Sequence, residues 1–294
     1  MSITLYESDD LKVIHHIGNE SKKRVIITFN AHTPADRMKL VSTRPLMGGW
    51  QSELEKRSTP AIFIVAKRNH WFNSRDLQEA ILCAQSIRNQ YVYTTLIGAS
   101  LGGHAAIRLS GRLGATAVVA ISPQLCISRS IVGSFEHRWK GEAESIECYD
   151  IGIGKAPISG NIYIIHDNKH NVDDIHVSKI SKLIETTGIC LPYSGHSSAR
   201  PLADLDLLES IFSINENHSI NLATLHSILH EYQLNWTKSP AALLVRSATM
   251  PVKERITFLL GASDVKGHPR HIQELKDITS RLRDEYKAYL VNGG

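Results

Sequence analysis

Residues 95–106, Thr-Leu-Ile-Gly-Ala-Ser-Leu-Gly-Gly-His-Ala-Ala, restrict the possible folds more than any other stretch of this chain. Strand-favouring residues 91–94 lead into Leu96 and Ile97, a Gly-x-Ser-x-Gly turn follows, and Leu101, Ala105 and Leu109 then recur at helical spacing. The order is strand, sharp turn, helix. A serine at the apex of such a turn takes backbone angles that only small neighbours permit, so Gly98, Ala99, Gly102 and Gly103 clear the space and Ser100 projects its hydroxyl above the sheet edge. Gly-x-Ser-x-Gly alone is a weak signal, because glycine and serine are common turn formers. The hydrophobic strand before it and the amphipathic helix after it give it weight.

The rest of the chain supplies the sheet that such a turn needs. Residues 3–7 and 11–16 read as two short strands joined by Ser8-Asp9-Asp10, an antiparallel edge on which His15 and His16 alternate as surface residues. Residues 24–29 and 61–66 are continuous apolar runs, as expected of strands covered on both faces, and an irregular, arginine-bearing stretch separates them. Residues 76–89 read as a helix with Leu77, Ile81, Ala84 and Ile87 on one face. Beyond the serine turn come a strand at 117–121, a helix over 131–148, a strand at 161–166, a helix at 172–184 and a short strand at 188–191.

Strands alternating with helices predict an α/β fold with a mostly parallel sheet and helices on both faces, its active site at the carboxyl ends of the strands. From about Pro201 no strand candidate remains. Residues 204–212, 222–232, 240–247, 252–260 and 273–290 all read as helices, the last with Leu275, Ile278, Leu282, Tyr286 and Tyr289 as its stripe. The expected organisation is a domain over 1–212 and an all-helical extension over 213–294, serving as a cap or as an assembly surface for a homo-oligomer.

Composition excludes several classes. With 42% apolar residues in 294, the chain can bury a large core. No run of about 18 uncharged apolar residues exists, and Glu7, Asp9 and Asp10 stand where a signal peptide is basic then apolar, so a soluble cytoplasmic protein without membrane contact is expected. Cys83, Cys126, Cys148 and Cys190 are scattered, which favours reduced thiols. The formal charge of +4 is spread without a basic block and points to no nucleic-acid partner.

A serine hydroxyl is a poor nucleophile at neutral pH and needs a base within reach, which in turn needs an acid to hold its tautomer. In chain order serine, acid, histidine, the base belongs in the loop past the last strand, where His196 stands beside Gly195. The acid belongs after the strand at 161–166. Asp167 sits at that strand's end, while Asp173 opens the next helix and has an alternative role in capping it. Both remain candidates. Acyl transfer also needs donors for a tetrahedral oxyanion: the backbone N–H of Leu101 is one, and Asn30 or Ala31, after the strand at 24–29, is the expected source of the second.

Phe29-Asn30, Asn69-His70-Trp71-Phe72, Ser100-Leu101-Gly102-Gly103, Ile121-Ser122-Pro123-Gln124 and Ser194-Gly195-His196 together resemble a bacterial group of α/β-hydrolase-like proteins of unassigned substrate, associated with surface polysaccharide or glycosyltransferase contexts. The resemblance covers roughly residues 1–212 and implies the α/β-hydrolase fold with a serine-centred site. Two departures stand out: the His-Gly pair usual after the third strand is replaced by Asn30-Ala31-His32, and the usual acid position holds His170.

Further candidates surround this set. Trp71 lies past a strand end, where it would meet an acyl chain or sugar, and His104 on the helix after the serine could reach the site mouth. Arg37 and Arg44 could bind an anionic group on the substrate. His166, His170 and His176 with Asp167 and Asp173 have ligand types suited to zinc but lack one-face spacing, so no metal and no cofactor are expected. The combined expectation is a serine hydrolase or acyltransferase acting on an ester or thioester of a small acylated metabolite or sugar. The alternative is a hydrolase-fold protein of weak activity that acts as a binding or assembly partner.

Overall fold

The computed structural model describes residues 1–19, 23–33, 50–146, 152–212, 222–262 and 265–291. Arg37, Arg44 and Cys148 lie outside the described residues.

Among the described residues, eight strands form one sheet: β1 (Ser2–Glu7), β2 (Leu11–His16), β3 (Arg24–Phe29), β4 (Ala61–Ala66), β5 (Tyr93–Ala99), β6 (Ala117–Ile121), β7 (Asn161–His166) and β8 (Thr187–Cys190), in the order β1-β2-β4-β3-β5-β6-β7-β8. The pairs β1–β2 and β2–β4 are antiparallel; the pairs β4–β3, β3–β5, β5–β6 and β6–β7 are parallel. The apolar runs explain the centre of the sheet. Ala-Ile-Phe-Ile-Val-Ala of β4 and Ala-Val-Val-Ala-Ile of β6 are buried at every position, which only a strand covered on both faces allows. With the serine turn after β5, this is an α/β-hydrolase-like fold, mostly parallel, followed by a helical C-terminal region.

The helices include α1 (Gln51–Lys56), α2 (Leu77–Arg88), α3 (Leu101–Arg108), α4 (Arg129–Val132), α5 (Lys140–Ser145) and α6 (Asn171–Ser181). After β8 come α7 (Ala199–Asp204), α8 (Leu208–Phe212), α9 (Leu222–Asn235), α10 (Pro240–Ala248), α11 (Val252–Leu260) and α12 (Pro269–Val291).

Several expectations need correction. Helix α1 lies in the stretch expected to be irregular. The single helix expected over 131–148 is instead α4 and α5, because residues between them send Glu136, Arg138 and Trp139 to buried partners. The helix expected over 204–212 breaks after Asp204, whose carboxylate serves as a latch, and Asp206 adopts a left-handed φ of 57°. β2 is interior, because β1 covers its outer edge. His16 is accordingly buried, its Nδ1 3.0 Å from Ser2 Oγ, and not a surface residue.

The chain divides into two compact units. One holds residues 1–165 and 171–188; the other holds residues 166–170 and the described residues from 189 onward. Among the described residues no helix is long and apolar enough to cross a membrane.

In the second unit, Leu243, Ile256, Leu259, Leu275 and Leu282 form a core. Asp204 is its polar latch. Its Oδ2 accepts from Ser239 Oγ at 2.8 Å and from the backbone of Ala241 at 3.2 Å, and its Oδ1 accepts from His268 N at 3.1 Å and His271 Nδ1 at 2.6 Å. One carboxylate thus joins the end of α7 to the starts of α10 and α12. Gly267 is required beside it, since a Cβ there would lie 2.6 Å from Asp204 Oδ1.

Candidate active site

Ser100 stands between β5 and α3 with φ 54° and ψ −119°, a conformation that side chains disfavour. Its surroundings over-determine it. Ser100 N donates to Ile121 O at 2.8 Å, and His104 N donates to Ser100 O at 3.0 Å, so the strained residue is bonded to β6 on one side and to its own helix on the other. The glycines work as expected. A Cβ on Gly98 would lie 2.1 Å from Gly102 O, and one on Gly102 would lie 2.5 Å from Phe29 O and 2.7 Å from Asn30 O. Strand, helix and the loop after β3 approach one another at distances only bare backbone tolerates.

That loop is tied down from its other side. Asn30, buried, accepts from Ala66 N at 2.7 Å through Oδ1 and donates to Ala66 O at 3.1 Å through Nδ2, imitating one more rung of the β3–β4 ladder. Thr33 is held similarly by Asn69, at 2.9 and 2.8 Å. The backbone around Asn30 and Ala31 is therefore fixed beside the first turn of α3, where the Leu101 N–H is one of the helix's four end donors.

The hydroxyl of Ser100, a residue only 7% exposed, meets Gln124. Gln124 Nε2 lies 3.1 Å from Ser100 Oγ, and Gln124 Oε1 accepts from Trp71 Nε1 at 3.2 Å. Trp71 is buried, and both Trp71 and Phe72 have left-handed backbones, φ 49° and 54°. The buried guanidinium of Arg108 holds that bend, donating to Phe72 O and Asn73 Oδ1 at 2.7 Å each. Trp71 also packs on Trp139 with ring centroids 5.4 Å apart, and His32 on Trp139 at 4.5 Å.

His104 is likewise buried, and its Nδ1 bonds to Gln124 O at 3.0 Å. Burial, with the Arg108 charge nearby, pushes its pKa down to about 3, so the ring is neutral at physiological pH. A cleft of about 370 Å³ is lined by Trp71, His104, Cys126, Ile127, Ser128 and Lys155 among others.

Asp173 belongs to a different network. It is 1% exposed in the first turn of α6 and accepts from Arg138 Nη2 at 2.8 Å. The same guanidinium donates to Glu136, at 2.6 Å from Nη2 to Oε2. His176 Nε2 lies 3.0 Å from Glu136 Oε2, and His176 Nδ1 accepts from Leu125 N at 3.1 Å. Burial alone would raise the Glu136 pKa, but the bonds from His176 and Arg138 outweigh it and hold the carboxyl at about 2. Asp173 is thus the partner of a half-buried arginine.

Asp167, in the second unit with His196, is 1% exposed and accepts three backbone N–H groups. Oδ1 takes those of Lys169 at 2.8 Å and Tyr193 at 3.0 Å; Oδ2 takes that of Gly195 at 2.8 Å. It therefore shapes the loop that carries His196, in which Tyr193 and Gly195 adopt φ 64° and 67°. Helices of the same unit grip that loop too. Tyr232 OH donates to Pro192 O at 3.1 Å, Arg246 lies 4.9 Å over the Tyr193 ring, and Tyr193 packs 4.9 Å from Trp236. Burial, with the Asp167 carboxylate nearby, raises the Tyr232 pKa. The His196 and His170 rings are 6.2 Å apart.

Sequence reasoning missed Gln124, Arg138 and Glu136 as members of these networks; only the quoted Ile121-Ser122-Pro123-Gln124 segment touched one of them. Among the described residues no three His, Cys, Asp or Glu side chains converge to hold a metal ion.

No family model and no curated protein matches the chain. Solved structures similar to it include the capsule O-acetyltransferase of Neisseria meningitidis serogroup A, with 14% identity, TM-score 0.47, 78% of this chain and 93% of that one. Est1E from Butyrivibrio proteoclasticus is similar at 14% identity and TM-score 0.43, over 80% of this chain and 98% of that one. A dienelactone hydrolase from Anabaena variabilis is similar at 13% identity and TM-score 0.42, over 76% and 94%. The fold assignment rests on this chain's own strand order and on the turn at Ser100.

Proposed function

We propose that the chain is a serine-dependent hydrolase or acyltransferase acting on an ester or thioester of a small acylated metabolite or sugar. One observation carries the reading: a non-glycine residue with a nucleophilic side chain is held at φ 54°, ψ −119° at the carboxyl end of a central parallel strand. Backbone strain of this kind costs on the order of 1–3 kcal/mol and persists where the surroundings impose it, as the bonds to Ile121 and the bare glycines do here.

In this reading Ser100 Oγ attacks the acyl carbonyl while His196 takes its proton and passes it to the leaving group. Water or an acceptor hydroxyl then releases the acyl group by the reverse path. Asp167 is the acid we assign. Its support is that it shapes the His196 loop, whereas Asp173 is engaged by Arg138. The Leu101 N–H and the backbone at Asn30 or Ala31 are assigned to the oxyanion.

The test is covalent labelling with a fluorophosphonate probe. Ser100→Ala abolishes it, and His196→Ala slows it by roughly a hundredfold or more. Absence of labelling in the unaltered protein would refute the reading and leave a binding role for the fold.

A further inference from the structure

Gln124 sits where two hydrogen-bond inventories meet. The indole Nε1–H of Trp71 only donates, so the amide atom facing it at 3.2 Å is the oxygen. Nε2 is thereby turned to Ser100 Oγ at 3.1 Å, and an amide nitrogen only donates. The opposite bond, from the serine hydroxyl to Oε1, would span 3.4 Å and share an acceptor that the indole already uses.

The backbone of Gln124 is fixed with equal care. A carbonyl only accepts, so His104 carries its proton on Nδ1 and gives it to Gln124 O. An N–H only donates, so His176 receives Leu125 N on an unprotonated Nδ1 and gives its Nε2 proton to Glu136. Two histidines of opposite tautomer thus clamp the two sides of one peptide group, and that peptide carries the side chain that reaches the serine. Gln124 and His176 are both fully buried, so water does not substitute for these bonds.

We propose that Gln124 sets the nucleophile: its amide N–H occupies one lone pair of Ser100 Oγ and so turns the hydroxyl hydrogen toward a separate base. This rests on the serine-nucleophile reading above. As that hydrogen leaves, the amide remains on Oγ and stabilises the negative charge that develops there. Gln124 touches a reacting atom and belongs to the catalytic centre.

The experiment measures the second-order rate of fluorophosphonate labelling of the full chain from pH 5 to 8. Gln124→Leu keeps the bulk and removes the donor, and slows labelling roughly 10- to 100-fold throughout. Gln124→Glu places a carboxylate that accepts the serine hydrogen instead of donating to Oγ, so its rate relative to the unaltered protein is lowest at pH 8. That ratio rises as the pH falls and the new carboxyl gains a proton. Labelling of Gln124→Leu within twofold of the unaltered protein, or a flat ratio for Gln124→Glu, overturns the proposal. A second measurement needs neither activity nor a Gln124 variant: the side-chain amide of Gln124 in a ¹H–¹⁵N spectrum shifts in Ser100→Ala, which removes its acceptor. An unmoved resonance overturns the proposal. A moved resonance in a protein that is never labelled would refute the hydrolase reading while leaving the Gln124–Ser100 bond in place.

Discussion

Ser100 is held at backbone angles that side chains disfavour. Glycine takes φ 54°, ψ −119° readily, so Ser100→Gly relieves a strain that Ser100→Ala keeps, while both lose the hydroxyl and its bond to Gln124. Ser100→Gly is expected to melt about 2–6 °C above Ser100→Ala, with neither variant labelled by a fluorophosphonate. Equal melting temperatures would mean that the angles are not strained. The sequence already held this turn, because Gly98 and Gly102 can be recognised by type and the structure shows the 2.1 and 2.5 Å contacts that a Cβ would make there. It could not show Gln124, since a glutamine 24 positions beyond a serine has no periodic or motif-bound relation to it. Asp167 was legible as the residue at a strand end. Its three backbone partners were not, because any residue but proline supplies an N–H. Asp167→Ala removes both accepting oxygens, and the amides of Tyr193 and Gly195 are expected to exchange hydrogen at least tenfold faster in that variant.

At the scale of elements, the stretch between α4 and α5 shows why helical periodicity read over residues 131–148 misled. The residues that interrupt it are charged, and their partners lie elsewhere in the chain: Arg138 reaches Asp173, and Glu136 reaches His176, on the far side of β7 in sequence. The same pairing explains why Asp173 was ambiguous, since an aspartate in a first helical turn has a local role whatever else it binds. The network has a pH signature. The folded-state pKa of Glu136 is depressed, from 4.5 to about 2, so its stabilisation is in place above pH 4.5 and is lost as pH falls toward 2. Glu136→Gln lacks that titration. In denaturant unfolding between pH 5 and pH 2, the unaltered protein should lose about 2 kcal/mol more than the variant. Parallel pH profiles would show that Glu136 is not held ionised by His176 and Arg138.

Across the whole molecule, the role of the C-terminal helices is the feature least visible in the chain. The candidate nucleophile belongs to the sheet unit, and the candidate acid and base belong to the helical unit. The helices after residue 212 read as a cap or an assembly surface because their apolar stripes name no partner; in the structure α9, α10 and the turn between them hold the His196 loop through Tyr232, Trp236 and Arg246. A buried hydroxyl with one acceptor tests whether that grip matters to chemistry. Tyr232→Phe leaves the ring packed and deprives Pro192 O of its donor, a loss of about 1–2 kcal/mol of stability. If the helices position the proposed base, labelling by the fluorophosphonate slows severalfold in Tyr232→Phe, while exchange at the Tyr193 amide quickens. Asp204→Ala provides the contrast within the same unit, because it releases the starts of α10 and α12 without touching the loop bond itself. A melting temperature lowered in both variants, with labelling slowed only in Asp204→Ala, would show that the helices support the unit but do not act through the Pro192 carbonyl.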